Sequence, residues 1–175
     1  MNWYKKSSKD IEQEITSKDT SINIVPSVFK KMKFNPGTTN ADIGGGKFDS
    51  ATNYMKDMGV NNVVYDPYNR EAHYNTKSLK SIDNGKSDTS TCANVLNVIS
   101  NKPHRDEVIQ RVYNCIKNDG TAYFQIYEGD KSGIGKKTTK GWQNNQRTIF
   151  YIKEIKKYFK YVSIKGNIII ARGKK

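Results

Sequence analysis

Cysteine is scarce in this chain. Two in 175 residues, Cys92 and Cys115, cannot make the disulfide framework of a small secreted scaffold. One falls on an expected strand and the other on an expected helix, where buried thiols are the simpler reading. No run of 18 apolar residues occurs, which argues against a membrane-spanning helix. The start, Met1 to Lys6, has no apolar stretch behind it, so no secretory signal is expected. Together these absences lead to the expectation of a cytoplasmic protein. Histidine is scarce too, and His104 precedes an expected helix, where a cap or surface role is the plain reading; no metal site is assigned. Acidic residues are few at one end only. Residues 128–175 carry 13 basic and 3 acidic side chains, residues 38–127 carry 10 of each, and residues 1–37 carry 7 and 4, for a net charge of +13. Such asymmetry suits an acidic partner, with nucleic acid the first candidate. The alternative is that these lysines only solvate the surface, because lysine outnumbers arginine and recognises phosphate less specifically.

What is present is a chain long enough for one domain that buries roughly 70% of its unfolded surface. Residues 1–38 are polar and read as an N-terminal extension, with helical turns expected near Ile11–Ile15 and from Pro26 to about Phe34. Residues 39–175 read as a single α/β domain. Its centre is the stretch 39–68. A short apolar segment ends at Asp42-Ile43-Gly44-Gly45-Gly46. Phe48, Ala51, Met55 and Met58 then share one helical face, and Gly59 stands where a helix stop belongs. A second strand, Val63-Val64-Tyr65, has Asp66 at its carboxyl end. Strand, glycine turn, helix, strand and acid make the opening βαβ unit of a nucleotide-binding sheet. Glycines permit a tight turn and close approach of a ligand, and a helix start offers free N–H groups. The spacing from Gly44 to Asp66 matches the ~20 residues expected for a ribose-binding acid.

The dinucleotide fingerprint requires glycine at its first, third and sixth positions. Gly44 and Gly46 satisfy two, but Asp49 occupies the third, where a carboxylate would repel a pyrophosphate. Asp42, two residues before the first glycine, suits a cationic ligand group. The acid-x-Gly-x-Gly pattern resembles the first motif of class I S-adenosylmethionine-dependent methyltransferases. This resemblance implies that Asp42 lies near the methionine part of the cofactor and that Asp66 binds the ribose, with Gly44, Gly45 and Gly46 forming the turn. The family often has a further glycine where this chain has Phe48. Pro67 and Tyr68 follow the ribose acid, and Tyr68 is either a stacking partner for adenine or a surface aromatic.

The rest of the chain fits the same family in order, over roughly residues 39–172. A helix is expected from about Glu71 to Lys80. Residues 79–88 contain no apolar run, so the third strand, an edge strand in the family, reads as missing, the least costly deletion from a sheet. Thr89–Asn94 followed by Val95–Ile99 resembles the fourth-strand region, with Asn94 and Asn97 as polar candidates facing the cofactor, and it is unlike the Asn-Pro-Pro-Tyr motif of amino-group DNA methyltransferases. Pro103 opens a helix with Val108, Ile109, Val112, Tyr113 and Ile116 inward, expected to end at Asp119-Gly120. Thr121–Tyr127 is an apolar strand suited to a sheet covered on both faces. A long loop, residues 128–147, follows at its carboxyl end, where ligands bind in open α/β sheets. There Glu128 and Asp130 are candidate bases. Lys131, Lys136, Lys137, Trp142 and Asn144 are candidate substrate contacts, and Gly133, Gly135 and Gly141 suggest a mobile lid. A helix through Ile152, Ile155 and Phe159 and an antiparallel hairpin over 161–172 close the chain. The expected function is methyl transfer from S-adenosylmethionine, with an acidic substrate as one acceptor class. The alternatives are a non-transferring enzyme, such as a lyase, that uses the same cofactor, and a basic nucleic-acid-binding protein with a vestigial site.

Overall fold

A computed structural model describes residues 22–175, so the expected turn near Ile11–Ile15 lies outside the described residues. In chain order the elements are α1 (Ser27–Lys31), β1 (Thr39–Ile43), α2 (Ser50–Asp57), β2 (Asn61–Tyr65), α3 (Ala72–Ile82) and β3 (Ser87–Ala93), then a 3₁₀ turn over Leu96–Val98 and α4 (Lys102–Cys115). They continue with β4 (Ile116–Gln125), β5 (Lys136–Thr138), β6 (Gly141–Gln143), a 3₁₀ turn over Thr148–Tyr151, α5 (Ile152–Ile155), β7 (Phe159–Lys165) and β8 (Ile168–Lys174). Six strands form one sheet in the order β2-β1-β3-β4-β8-β7. β1 runs parallel to β2 and β3, and β3 runs parallel to β4. β8 is antiparallel to both β4 and β7. Among the described residues no strand lies beyond β2, in line with the expectation from the polar stretch 79–88, and β2 is the outermost strand.

Alternation along β4 creates two cores. Ala122 and Phe124 face one side with Val108, Ile109 and Val112 of α4 and with Ile82, Tyr151 and Ile155. Tyr123 faces the other with Val28 and Phe29 of α1 and Ala51 and Met55 of α2. Period-two strands sandwiched between helices give three layers. Both thiols are free and buried, Cys92 in β3 and Cys115 at the end of α4. No helix among the described residues is long and apolar enough to cross a membrane.

The helix stop at Gly59 is realised by its left-handed backbone, φ +74°. Its N–H donates to the Lys56 carbonyl and that of Val60 to the Met55 carbonyl, closing the last turn of α2. Two expected helices are shorter in the structure. α4 stops at Cys115, because Ile116 already pairs with Ser87 across a bulge in the β3–β4 ladder; Asp119-Gly120 therefore lie within a strand. The helix expected through Phe159 spans four residues after a 3₁₀ turn, and Phe159 instead opens β7, paired with Lys174.

Candidate cofactor site

β1, β2, β3 and β4 end on one side of the sheet, and a cavity of about 390 Å³ lies there, within the range of small-molecule sites. Its walls come from the carboxyl ends of β1 and β2 and the turns after them, from Ala93 at the end of β3 with Asn94 and Val95, from Val98 and Ile99, and from Gln125 at the end of β4. Residues 22–27 also line it. Asp42, Gly44, Gly45, Gly46, Asp66, Pro67, Tyr68 and Asn94 all line this cavity. Phe48, standing where the family often has glycine, forms part of the wall.

The glycines are required by contact. A Cβ on Gly44 would stand 2.5 Å from Val95 Cγ2, and one on Gly45 would stand 2.6 Å from Asp42 Oδ2. Gly44 and Gly46 also have left-handed backbones, φ +75° and +78°. Asp42 is buried, with Oδ1 accepting from Thr91 Oγ1 at 3.0 Å and Oδ2 accepting from Asn62 Nδ2 at 3.3 Å. Burial raises its pKa to about 6, opposed by those two hydrogen bonds, reinforced by the Asp66 charge and eased by Arg70. A cationic ligand group next to it would stabilise its charge.

Asp66 accepts four hydrogen bonds. Oδ1 takes the backbone N–H groups of Tyr68 and Asn69, each at 3.0 Å. Oδ2 takes the Gly46 N–H at 2.9 Å and Asn69 Nδ2 at 3.0 Å. A carboxylate offers about four acceptor positions, so this one is saturated, and three of its donors are backbone. Asn75 braces the same corner by accepting from Asp66 N–H and donating to its carbonyl. Arg70 clamps the turn through the Gly46 and Phe48 carbonyls and pairs with Asp49 at 2.8 Å. The acid that would repel a pyrophosphate thus has its own cation.

Gln125 was not legible as a site residue. It is buried at the cavity, where its Oε1 accepts from Ser27 Oγ at 3.0 Å and Val28 N–H at 2.7 Å, and its Nε2 donates to Asn94 Oδ1 at 3.2 Å. Asn94 itself has φ +60°, a conformation asparagine tolerates better than most residues. The sole signal was a polar residue inside the apolar run Tyr123–Tyr127. Asn69, Arg70, Asn62 and Thr91 were also missed, being ordinary polar residues without a pattern.

Several expected site residues are elsewhere. Asn97 does not line the cavity; its Nδ2 donates to Gln143 Oε1 and its Oδ1 accepts from Tyr127 N–H, because the 3₁₀ turn points it at the loop. Glu128 Oε1 accepts from Thr148 N–H and Oγ1, each at 2.7 Å, which holds its pKa below the usual range. Asp130 is capped by Ser132 and paired with Lys136 at 3.0 Å, and its pKa falls to about 2. Neither lines the cavity, and carboxylates held so acidic are poor bases. Asn144 is buried, donating to the Leu96 and Ile99 carbonyls and to Tyr151 Oη. Trp142 donates to Asn144 Oδ1 at 2.7 Å and packs over Gly135. Residues 128–147 are therefore a fastened knot with a short β5–β6 hairpin, in place of the expected lid. Lys131 pairs with Glu128 at 3.5 Å, and Lys137 is exposed on the hairpin. Among the described residues no cluster of His, Cys, Asp and Glu could hold a metal ion.

No family model matches the chain, and no curated protein matches it. Solved structures do. A Burkholderia thailandensis 1,6-didemethyltoxoflavin-N1-methyltransferase, solved with its substrate and S-adenosylhomocysteine, aligns with TM-score 0.61 at 12% identity over 81% of this chain and 72% of that one. A Methanosarcina mazei SAM-dependent methyltransferase aligns with TM-score 0.60 at 11% identity, over 87% and 99%. The [4+2]-cyclase SpnF aligns with TM-score 0.54 at 12% identity, over 89% and 60%. At these identities the likeness is one of architecture. The strand order, the C-terminal antiparallel pair and these neighbours together establish that the chain has the Rossmann-like fold of class I S-adenosylmethionine-dependent methyltransferases.

Proposed function

We propose that the cavity binds S-adenosylmethionine and that the protein transfers its methyl group. The observation that carries this reading is the convergence of buried Asp42, the Gly44–Gly46 turn and Asp66 on one cavity. The residues fit such a ligand. Asp42 would meet the ammonium of the amino-acid end, and the glycine turn would admit close approach of the ligand. Asp66 would accept the ribose hydroxyls once Asn69 Nδ2, its one side-chain donor, turns away. The strap of residues 22–27, held by Gln125, would exclude water from the amino-acid end. When bound, the cofactor supplies a methyl group already activated by its sulfonium, so the task left to the protein is in-line positioning.

Among the described residues the titratable side chains that line the cavity are Asp42, Asp66 and Tyr68; Asp42 is held by Thr91 and Asn62, and Asp66 by the turn. With Glu128 and Asp130 occupied in the knot, the described residues supply no free base there. The reading therefore favours an acceptor whose nucleophile is already unprotonated and reactive at neutral pH, such as a pyridine-type ring nitrogen, over an alcohol or an alkylammonium that must first lose a proton. The test is calorimetry with S-adenosylhomocysteine, followed by mass spectrometry for methylated products after incubation with S-adenosylmethionine and candidate acceptors. Saturable heat and a product 14 mass units heavier are expected. Absence of heat at millimolar ligand would falsify the cofactor reading, and binding with turnover but no methylated product would favour a cyclase- or lyase-like use of the same cofactor.

A further inference from the structure

Next to the cavity lies a surface that the cofactor reading leaves unused. Tyr127 is two residues beyond Gln125, the cavity wall at the end of β4, yet its side chain is 62% exposed. Ile134, Ile149 and Phe150 are 64%, 68% and 43% exposed. These four belong to the segment 127–150, which is bound into one knot. Gln143 Nε2 donates to the Tyr127 carbonyl at 2.9 Å, Asn145 Nδ2 to the Ile134 carbonyl at 2.9 Å, and Thr148 to Glu128 beside them. Phe150 stacks edge-on against buried Tyr151 at 5.1 Å. The buried amides of Gln143 and Asn145 thus fasten the backbone at Tyr127 and Ile134, whose side chains stand largely in water.

The charges on the same knot are all but one-sided. Of five cations, Lys131 and Lys136 are paired with Glu128 and Asp130. Lys137, Lys140 and Arg147 are exposed and have no acidic partner among the described residues. Exposed aromatics and surplus cations on one fastened segment are the two components of a single-strand platform: bases stack on the rings and phosphates meet the cations. A duplex would keep its bases from Tyr127 and Phe150, and an acidic peptide would leave the rings without partners.

We infer that the Tyr127–Phe150 knot docks a single-stranded nucleic acid, presenting a base to the adjoining cavity. This rests on the cofactor reading for its chemistry, though the docking itself does not. A nucleobase ring nitrogen is also the kind of acceptor that needs no protein base.

The test is fluorescence anisotropy with labelled 20-nucleotide single strands of RNA and DNA and the matching duplex, with S-adenosylhomocysteine calorimetry on the same variants. Three phosphate contacts give a salt slope near −2 on a log–log plot, or about 20-fold weaker binding between 50 and 200 mM salt. Lys137→Gln, Lys140→Gln and Arg147→Gln should each flatten that slope by about 0.7. Tyr127→Ser and Phe150→Leu should each weaken single-strand binding about fivefold or more; Tyr127→Ser disturbs no core, and Phe150→Leu keeps an apolar group on Tyr151. Equal affinity for the duplex, indifference to both ring substitutions, or binding of phosphatidylserine vesicles or a poly-glutamate peptide in place of the oligonucleotide overturns the inference. Loss of S-adenosylhomocysteine binding with oligonucleotide binding intact would sink the cofactor reading alone.

Discussion

Replacing Asp42 by asparagine tests the electrostatics of the cavity directly. The carboxyl titrates near 6 in the folded protein against 3.8 ordinarily, chiefly because burial removes its water. Between those values the folded protein keeps a proton that the unfolded chain has released. Stability from this group therefore falls as pH rises from about 4 to 6 and is level above. The ionised carboxylate costs the folded state on the order of 3 kcal/mol at pH 7. Asparagine cannot ionise, so the slope disappears. The new amide also faces Asn62 Nδ2, a donor, but that penalty does not vary with pH and shifts the whole curve. Urea unfolding of both proteins from pH 4 to 7.5 is the assay. The stability difference should move toward the variant by on the order of 3 kcal/mol across the window, while S-adenosylhomocysteine binding is lost. Arg70 and Asp66, the charges nearest Asp42, and the Cys92 thiol packed near it are common to both proteins. Parallel curves would refute the claim that Asp42 is held in a costly charged state.

Asn69→Ala should tighten S-adenosylhomocysteine binding about three- to tenfold by calorimetry, since it removes the side-chain donor competing for Asp66 Oδ2; weaker binding would mean that Asn69 itself contacts the ligand. Arg105→Ala should cost about 3–5 kcal/mol in urea unfolding, because it strands buried Glu154, held by paired contacts of 2.8 and 3.0 Å, and takes one donor each from the Ile99 and Ser100 carbonyls. Glu128→Gln should lower the melting temperature at neutral pH and progressively less as pH falls through the depressed pKa of Glu128, with methyl transfer per folded molecule unchanged; a large fall in turnover would restore Glu128 as a base. Gly44→Ala should destabilise the protein by about 1 kcal/mol or more, as its left-handed backbone and the Val95 contact both oppose a side chain.

The cavity was legible where its residues are close in sequence. Asp42, Gly44, Gly46 and Asp66 sit in one βαβ unit, whose geometry follows from local rules, and the lack of a strand beyond β2 among the described residues could be read from a polar stretch. Roles in residues 128–147 were not legible. Glu128 and Asp130 looked like bases because they follow a strand at the ligand-binding edge. Their roles are set by Thr148 and Lys136, partners that no periodicity reveals. Asn97 and Asn144 were ambiguous for the same reason: an asparagine near a site can face the ligand or fasten a turn, and the choice is made by tertiary contacts. Trp142 lacked an apolar pattern because its packing partner is the bare face of Gly135. Gln125 was hidden by hydrophobic neighbours, and its function depends on Ser27 and Val28, nearly a hundred residues earlier.

The missing edge strand bears on which small molecules the cavity would tolerate. With β2 outermost among the described residues, a nucleoside held by Asp66 has its ribose fixed but no neighbouring strand beyond it to meet the far edge of its purine. The described residues just past the acid, Pro67, Tyr68 and Asn69, can cover a ring face more readily than they can read its exocyclic group. Selection by such a site would rest on the sugar and the amino-acid chain, so that cofactor analogues enlarged at the purine amine would be accepted, while those altered at the ribose hydroxyls would be refused.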